Sequence, residues 1–214
     1  MCCKQELEIL YQEPAFVVVN KPGGMLAVPG RGADKQDCVV TRLQKSFPEC
    51  IQQPAVHRLD MATSGLMVLG LTRTAHRHLS LQFENRTVVK RYVAVVDGVV
   101  VHDAGRIVLA FRLDPNNRPH QVYDPECGKI GVTRWRVLQR FEERTRVEFF
   151  PETGRTHQLR LHSSHPQGFG LPIVGDSLYG DGRQGDQMLL HATGLQFIHP
   201  ETGRVVCFVS SPLF

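Results

Sequence analysis

Long hydrophobic runs are missing from this sequence of 214 residues. The apolar stretch Leu66–Leu71 falls far short of the roughly 20 residues a membrane-spanning helix requires. The opening, Met1-Cys2-Cys3-Lys4-Gln5-Glu6, has no apolar core of the kind a secretory signal carries, so a cytoplasmic protein is expected. Cysteine is sparse and unpatterned. The six, at positions 2, 3, 38, 50, 127 and 207, form no C-x-x-C pair, and no histidine stands at zinc-finger spacing from two of them. They read as reduced, mostly buried thiols, and no metal site is expected. The glycine-rich loops of nucleotide hydrolysis and dinucleotide redox are absent, as is the G-x-S-x-G of α/β-hydrolases. No pair of acids stands out for glycoside hydrolysis.

What is present is an ordinary globular composition. Apolar residues are 42% and charged residues 21%, which excludes disordered and fibrous classes. A chain of this length buries roughly 70% of its unfolded surface and needs no staple to fold. Lys+Arg minus Asp+Glu is 25 − 21 = +4. The excess is carried by arginine, 19 residues against 6 lysines. Arginine grips phosphate through two donors and stacks on bases, so a polyanionic partner and a generic basic surface both remain open.

Short runs rich in Val, Ile and Phe dominate the chain. Leu7–Tyr11 and Phe16–Asn20 read as strands, and Lys21-Pro22-Gly23-Gly24 breaks the pattern. After a polar loop, Asp37 reads as the cap of a helix with Val39, Val40, Leu43 and Phe47 on one face, stopped by Pro48. Gly65–Leu71 is an apolar strand, and Thr72 caps a second helix carrying Ala75, Leu79, Gln82 and Phe83. Strands are expected at Arg91–Val96, Ile107–Leu113, Thr133–Gln139, Arg146–Phe150, Leu189–Phe197 and Val205–Val209, with a third helix near Thr156–His162. The connections are too short for repeated βαβ units. The expectation is a single α+β domain over 1–214 on a mixed, largely antiparallel sheet flanked by helices. Pro-Glu-Thr-Gly-Arg occurs twice, at 151–155 and 200–204; shared turn chemistry explains the second copy, while the first leads into a His/Arg-rich helix.

Four segments stand out. In His57-Arg58-Leu59-Asp60-Met61-Ala62-Thr63-Ser64-Gly65, Asp60 reads either as a turn residue or as a positioned carboxylate. If the approach is a strand, Arg58 faces the same way as Asp60. Arg155-Thr156-His157-Gln158-Leu159-Arg160-Leu161-His162 reads as a solvated helix face, or as one that aims an arginine at a buried acid and holds that acid ionised. Lys90-Arg91-Tyr92-Val93-Ala94 is core packing or a flat platform for a base with a basic rim. Pro172-Ile173-Val174-Gly175-Asp176-Ser177-Leu178-Tyr179 signals only turns around a short strand.

Taken together, these segments resemble the RluA family of pseudouridine synthases. His57–Leu66 matches H-R-L-D-x-x-T-S-G-[LV], Arg155–His162 matches R-[TS]-H-Q-[IL]-R-[VL]-H, Lys90–Ala94 matches K-x-Y-x-A, and Pro172–Tyr179 matches P-I-[LV]-G-D-x-x-Y. The likeness covers nearly the whole chain. Val28–Arg31, Met61-Ala62 and Asp114–Pro119 place it nearest the dual-specificity branch, and no accessory RNA-binding domain of the S4 type is expected. It departs at Leu171, where a His is usual, at Gly131, where an Ala is usual, and in a longer Ser163–Gly170.

The resemblance implies the pseudouridine synthase fold with a central catalytic cleft. The implied activity is uridine isomerisation in tRNA, at the 5′ edge of the anticodon loop, and in a 23S rRNA hairpin, by a monomer that needs no cofactor. Asp60 is implied as the catalytic carboxylate, Arg160 as its partner and Tyr92 as the ring on the uracil. Arg58 is implied as a wedge in place of a flipped base, and Arg155, Lys90, Arg91, Arg118 and His57 as RNA contacts. Three alternatives stay open: the same chemistry at another RNA site, an RNA-binding module without activity, and hydrolysis of N-glycosidic bonds.

Overall fold

The structure is a computed structural model and describes residues 7–214. Cys2, Cys3 and the opening read for a signal lie outside the described residues. The secondary structure is of the α+β class that the sequence predicts, with ten strands and three α-helices among the described residues. The chain divides into two compact units. One runs to Val89 and adds Ala192–Pro212; the other is Lys90–His191 with Leu213–Phe214.

The first unit contains β1 (Glu8–Gln12), β2 (Phe16–Lys21), α1 (Val39–Ser46), β3 (Ser64–Gly70) and α2 (Arg73–Glu84), with most of β9 (Leu190–Ile198) and all of β10 (Val205–Val209). Its strand order is β1-β2-β3-β9, with β10 paired to β9. β1/β2, β2/β3 and β9/β10 are antiparallel. β2 and β3 are apolar on both faces because both are covered, which explains their continuous rather than alternating hydrophobicity. Phe16 and Val18 of β2, Leu66 and Val68 of β3, Ala75 and Leu79 of α2, and Leu195 and Phe197 of β9 form one buried cluster. Each large side chain there contributes about 1.5–3 kcal/mol by leaving water.

Thr72 caps α2 as expected, its hydroxyl accepting the Ala75 N–H. The cap of α1 is Cys38, not Asp37. Cys38 Sγ accepts the Thr41 N–H and Thr41 Oγ1 accepts the Cys38 N–H, while Asp37 is drawn off to Arg42 Nε and Nη2 at 2.7 and 2.8 Å. Among the described cysteines Cys38 is buried, Cys50 half-buried, and Cys127 and Cys207 exposed, all as free thiols. The expectation of mostly buried thiols therefore fails at two positions, where the residue lies on an outward face rather than in a core.

The second unit orders β4 (Val89–Asp97), β8 (Arg144–Pro151), β7 (Lys129–Arg140), β5 (Ala104–Leu113) and β6 (Gln121–Tyr123) as β4-β8-β7-β5-β6. β4/β8, β8/β7, β7/β5 and β5/β6 are antiparallel. β5 alternates, with Ile107, Leu109 and Phe111 buried and Arg106 and Val108 exposed, as a strand with one wet face must. The helix α3 (Gln158–Ser164) packs on β7. Gly131 of β7 has a reason here: a Cβ would lie 2.5 Å from Phe111 Cε1 and 3.1 Å from His162 Nε2, so the ring fills the space an alanine methyl would need. Among the described residues no helix is long and apolar enough to cross a membrane.

Candidate active site

In the first unit, Asp60 sits on a connection between α1 and β3. Ala55 makes a single antiparallel bridge to Leu69 of β3, after which the chain bends. The expected strand through Leu59 therefore does not form, and the facing of Arg58 and Asp60 does not rest on strand geometry. His57 braces this bend. Its Nε2 accepts the Val68 N–H at 3.1 Å and its ring stacks on Phe83 of α2 at 4.3 Å. Arg58 is exposed, Leu59 buried and Asp60 half-buried. A tight turn follows, closed by the Thr63 N–H on Asp60 O at 3.1 Å.

The turn rests on Lys21-Pro22-Gly23-Gly24-Met25. Met61 O accepts the Gly24 N–H at 2.9 Å and Lys21 Nζ at 3.0 Å. Lys21 is fully buried, and its ammonium also donates to Pro22 O at 2.9 Å and Met25 O at 2.8 Å. Three donors meet three carbonyls, which satisfies the ammonium completely. Burial, offset in part by the Asp60 carboxylate, pulls its pKa down to about 7. Gly65 allows β3 to close in: it has φ +109, and a Cβ there would lie 2.4 Å from Ala192 O. Thr63-Ser64-Gly65 thus serves close strand packing as well as the turn.

In the second unit Arg155 lies on the β8–α3 connection and Lys90 beside it, while Arg91 and Arg118 lie elsewhere. Tyr92 of β4 is paired with Phe149 of β8. Lys90 and Tyr92 share one strand face and Arg91 takes the other, so the structure separates Arg91 from the other two. Lys90 Nζ lies 3.7 Å from where a Cβ on Gly154 would stand. The connection is held by Gln158, whose Oε1 accepts Thr153 Oγ1 at 2.7 Å and the Arg155 N–H at 3.0 Å. Its Nε2 donates to Val132 O and Thr133 Oγ1 of β7 at 3.0 and 2.9 Å. This wiring is what distinguishes the first Pro-Glu-Thr-Gly-Arg from the second, where Gly203 takes a left-handed turn at φ +68. Arg155 Nε is buried and meets no acceptor among the described residues. Arg118 is exposed in the loop before β6.

Arg160 is buried and forms a two-point ion pair with the fully buried Asp176, Nε–Oδ2 2.8 Å and Nη2–Oδ1 2.5 Å. Burial alone would raise the Asp176 carboxyl; the Arg160 guanidinium and the N–H groups of Leu178 and Tyr179 outweigh it and hold the pKa below the ordinary value. His162, two residues further along α3, is fully buried with neither ring nitrogen hydrogen-bonded among the described residues, and burial lowers its pKa to about 4. Lys21 and Asp176, which hold the segments carrying the candidate residues, are not singled out by the sequence. Lys21 read as a chain breaker and Asp176 as a turn, although a lysine inside an apolar strand end and an Asp behind a buried strand are signals of paired burial.

These two anchored segments, a carboxylate on a braced turn and an arginine on a pinned helix, lie in a chain whose residues 15–165 match the RNA pseudouridylate synthase family model. The chain belongs to that family and is an RNA pseudouridine synthase, an isomerase. Among curated proteins it is 43% identical over 204 residues to the dual-specificity RNA pseudouridine synthase RluA of Yersinia pestis, covering 94% of this chain and 96% of that one. The Escherichia coli K12 protein of the same name is 42% identical over 206 residues, covering 94% and 91%. Among solved structures it is similar to human RNA pseudouridylate synthase domain containing 1, with TM-score 0.78, 29% identity and coverage of 97% and 84%. Human RNA pseudouridylate synthase domain containing 4 follows with TM-score 0.73, 27% identity and coverage of 95% and 88%.

Proposed function

We propose that this synthase has two RNA targets, the uridine at the 5′ edge of the tRNA anticodon loop and a uridine in a 23S rRNA hairpin, and that it works in the cytoplasm as a monomer. The likeness to relatives named dual-specificity enzymes supports the pair of targets. In the reaction the N1–C1′ bond of the uridine is exchanged for a C5–C1′ bond. The base turns between the two events, C5 loses a proton and N1 gains one, so no redox step or cofactor is called for.

Asp60 is the catalytic carboxylate, either attacking C1′ or taking a C2′ proton. Arg160 is its counter-charge, and Tyr92 is the ring against the uracil and the base near C5. A uridine within a folded loop must leave its stack at a cost of a few kcal/mol; exposed Arg58 is the wedge that takes its place. Arg155, Lys90, Arg91 and Arg118 contact phosphates. His57 adds to RNA binding through the bend it braces. The observation that carries this reading is the turn at Asp60: a half-buried carboxylate on backbone fixed by Lys21 and Gly24. A map of pseudouridines in tRNA and rRNA, from cells with and without the protein, tests the targets. Loss at both named sites is expected; loss elsewhere only would replace them.

A further inference from the structure

The second unit contains a hydrogen-bonded route that the residue roles above do not use. The loop Asp114–His120 carries Arg118, which is exposed. The loop is braced from within by the Asn116 N–H on Asp114 Oδ1 at 3.0 Å and the His120 N–H on Asn117 O at 2.9 Å. It is tied to the turn at 176–179 twice. His120 Nε2 lies 3.1 Å from Leu178 O, and the Gln121 N–H donates to Tyr179 Oη at 2.7 Å.

The far side of Tyr179 meets the helix. Its hydroxyl lies 2.9 Å from His157 Nδ1, and its ring packs on the Arg160 guanidinium at 5.2 Å. Its own N–H, with that of Leu178, holds Asp176 Oδ1 at 3.1 and 2.9 Å, the oxygen that also receives Arg160 Nη2. His157 has left-handed backbone at φ 55, which a non-glycine residue adopts only when its surroundings enforce it. A tyrosine that only filled space would use none of these polar ends. Here one hydroxyl joins the loop to the helix, and the ring below it covers the arginine.

We propose that Tyr179 is a positioning residue that couples the Asp114–His120 loop to Arg160, so that RNA bound at Arg118 sets the orientation of the guanidinium. This rests on the roles given above to Arg118 and Arg160. The loop moves the Gln121 N–H, that N–H moves the Tyr179 hydroxyl, and the ring carries the displacement to Arg160 and Asp176. RNA that fails to engage the loop is bound but isomerised slowly.

The test is single-turnover pseudouridine formation on a tRNA anticodon stem-loop at saturating enzyme, with RNA affinity measured alongside. Tyr179→Phe keeps the ring and removes both hydroxyl bonds. It is expected to lower the saturated rate about tenfold, the size of coupling found between residues in one network, with RNA affinity unchanged. Arg118→Ala is expected to weaken binding and slow the saturated rate, and the double variant to be no slower than Tyr179→Phe alone. A wild-type rate in Tyr179→Phe, or rate losses that multiply in the double variant, overturns the coupling. If Tyr179→Phe does not fold, the Arg160 Nε–H resonance decides. It is expected to shift on RNA saturation in the wild type and not in Arg118→Ala; equal shifts overturn the proposal. Arg160→Ala separates the two levels: a wild-type rate there removes Arg160 from the reaction and the coupling with it, whereas an inactive Arg160→Ala beside an unimpaired Tyr179→Phe rejects the coupling alone.

Discussion

The backbone beneath Asp60 is held by a buried cation, and the guanidinium of Arg160 by a buried anion. Lys21 spends its charge on three carbonyls and retains its proton only weakly, with a pKa of about 7. Asp176 spends its charge on an opposite charge and two N–H groups, and its carboxyl stays well ionised. The lesson is that a buried charge whose hydrogen bonds all go to carbonyl dipoles titrates toward neutrality even with a carboxylate acting on it, while one bonded directly to its opposite does not. The first unit should therefore feel neutral and alkaline pH at its anchor, and the second should not.

The strongest way to break this contrast is to remove one member of the ion pair. Asp176→Leu leaves Arg160 buried without its counter-ion and is expected to cost about 3–5 kcal/mol in urea unfolding. Asp176→Leu combined with Arg160→Met should recover most of that loss while remaining inactive. A single variant as stable as wild type would mean the pair contributes nothing to the fold. Next in size is Lys21→Met, which leaves three carbonyls without their donor and should cost about 2 kcal/mol at pH 7. Between pH 7 and 10.5 the unfolded lysine holds a proton that the native one has released, so wild-type stability gains from this group as pH rises. The gap between wild type and Lys21→Met should widen over that window in thermal melts; a gap that stays constant or narrows would refute the titration.

A smaller effect sharpens the same contrast on the acid side. His162 has a folded pKa of about 4 against 6.5 unfolded, so the unfolded chain takes up the proton first and stability falls as pH drops from 6.5 toward 4. His162→Leu also removes two buried nitrogens without partners, and is expected to gain about 1 kcal/mol at pH 7 and more at pH 5. Part of the acid slope should survive, because His191 is lowered to about 4 by the same burial. The smallest change is expected at the surface. Arg106 pairs with Glu152 at 3.0 Å at the surface, with the arginine exposed and the glutamate half-buried, and Arg106→Ala should cost under about 1 kcal/mol and vanish in high salt.

Much of the architecture was legible because burial writes itself into sequence period. The apolar run of β3 and the alternation of β5 both mark strands, and Thr72 marks the start of α2. β6 escaped because three residues between turns carry no period. The cap of α1 was misplaced by one position because Arg42, a turn away, competes for Asp37. The candidate residues were legible as motifs, but their supports were not. Lys21 reaches a carbonyl 40 residues away, and Asp176 reaches an arginine 16 residues back. Such contacts are set by how strands stack, which local spacing does not encode. Gln158 shows the intermediate case: it lies within a recognised motif, yet only its bonds to β7 reveal that it fixes the connection carrying Arg155.

The role given to Asp60 is tested most directly by replacing its carboxylate with an amide of the same shape. Asp60→Asn, assayed on a tRNA anticodon stem-loop together with RNA affinity and melting temperature, is expected to form no pseudouridine while binding and folding as the wild type does. Turnover at the wild-type rate in that variant would contradict the account.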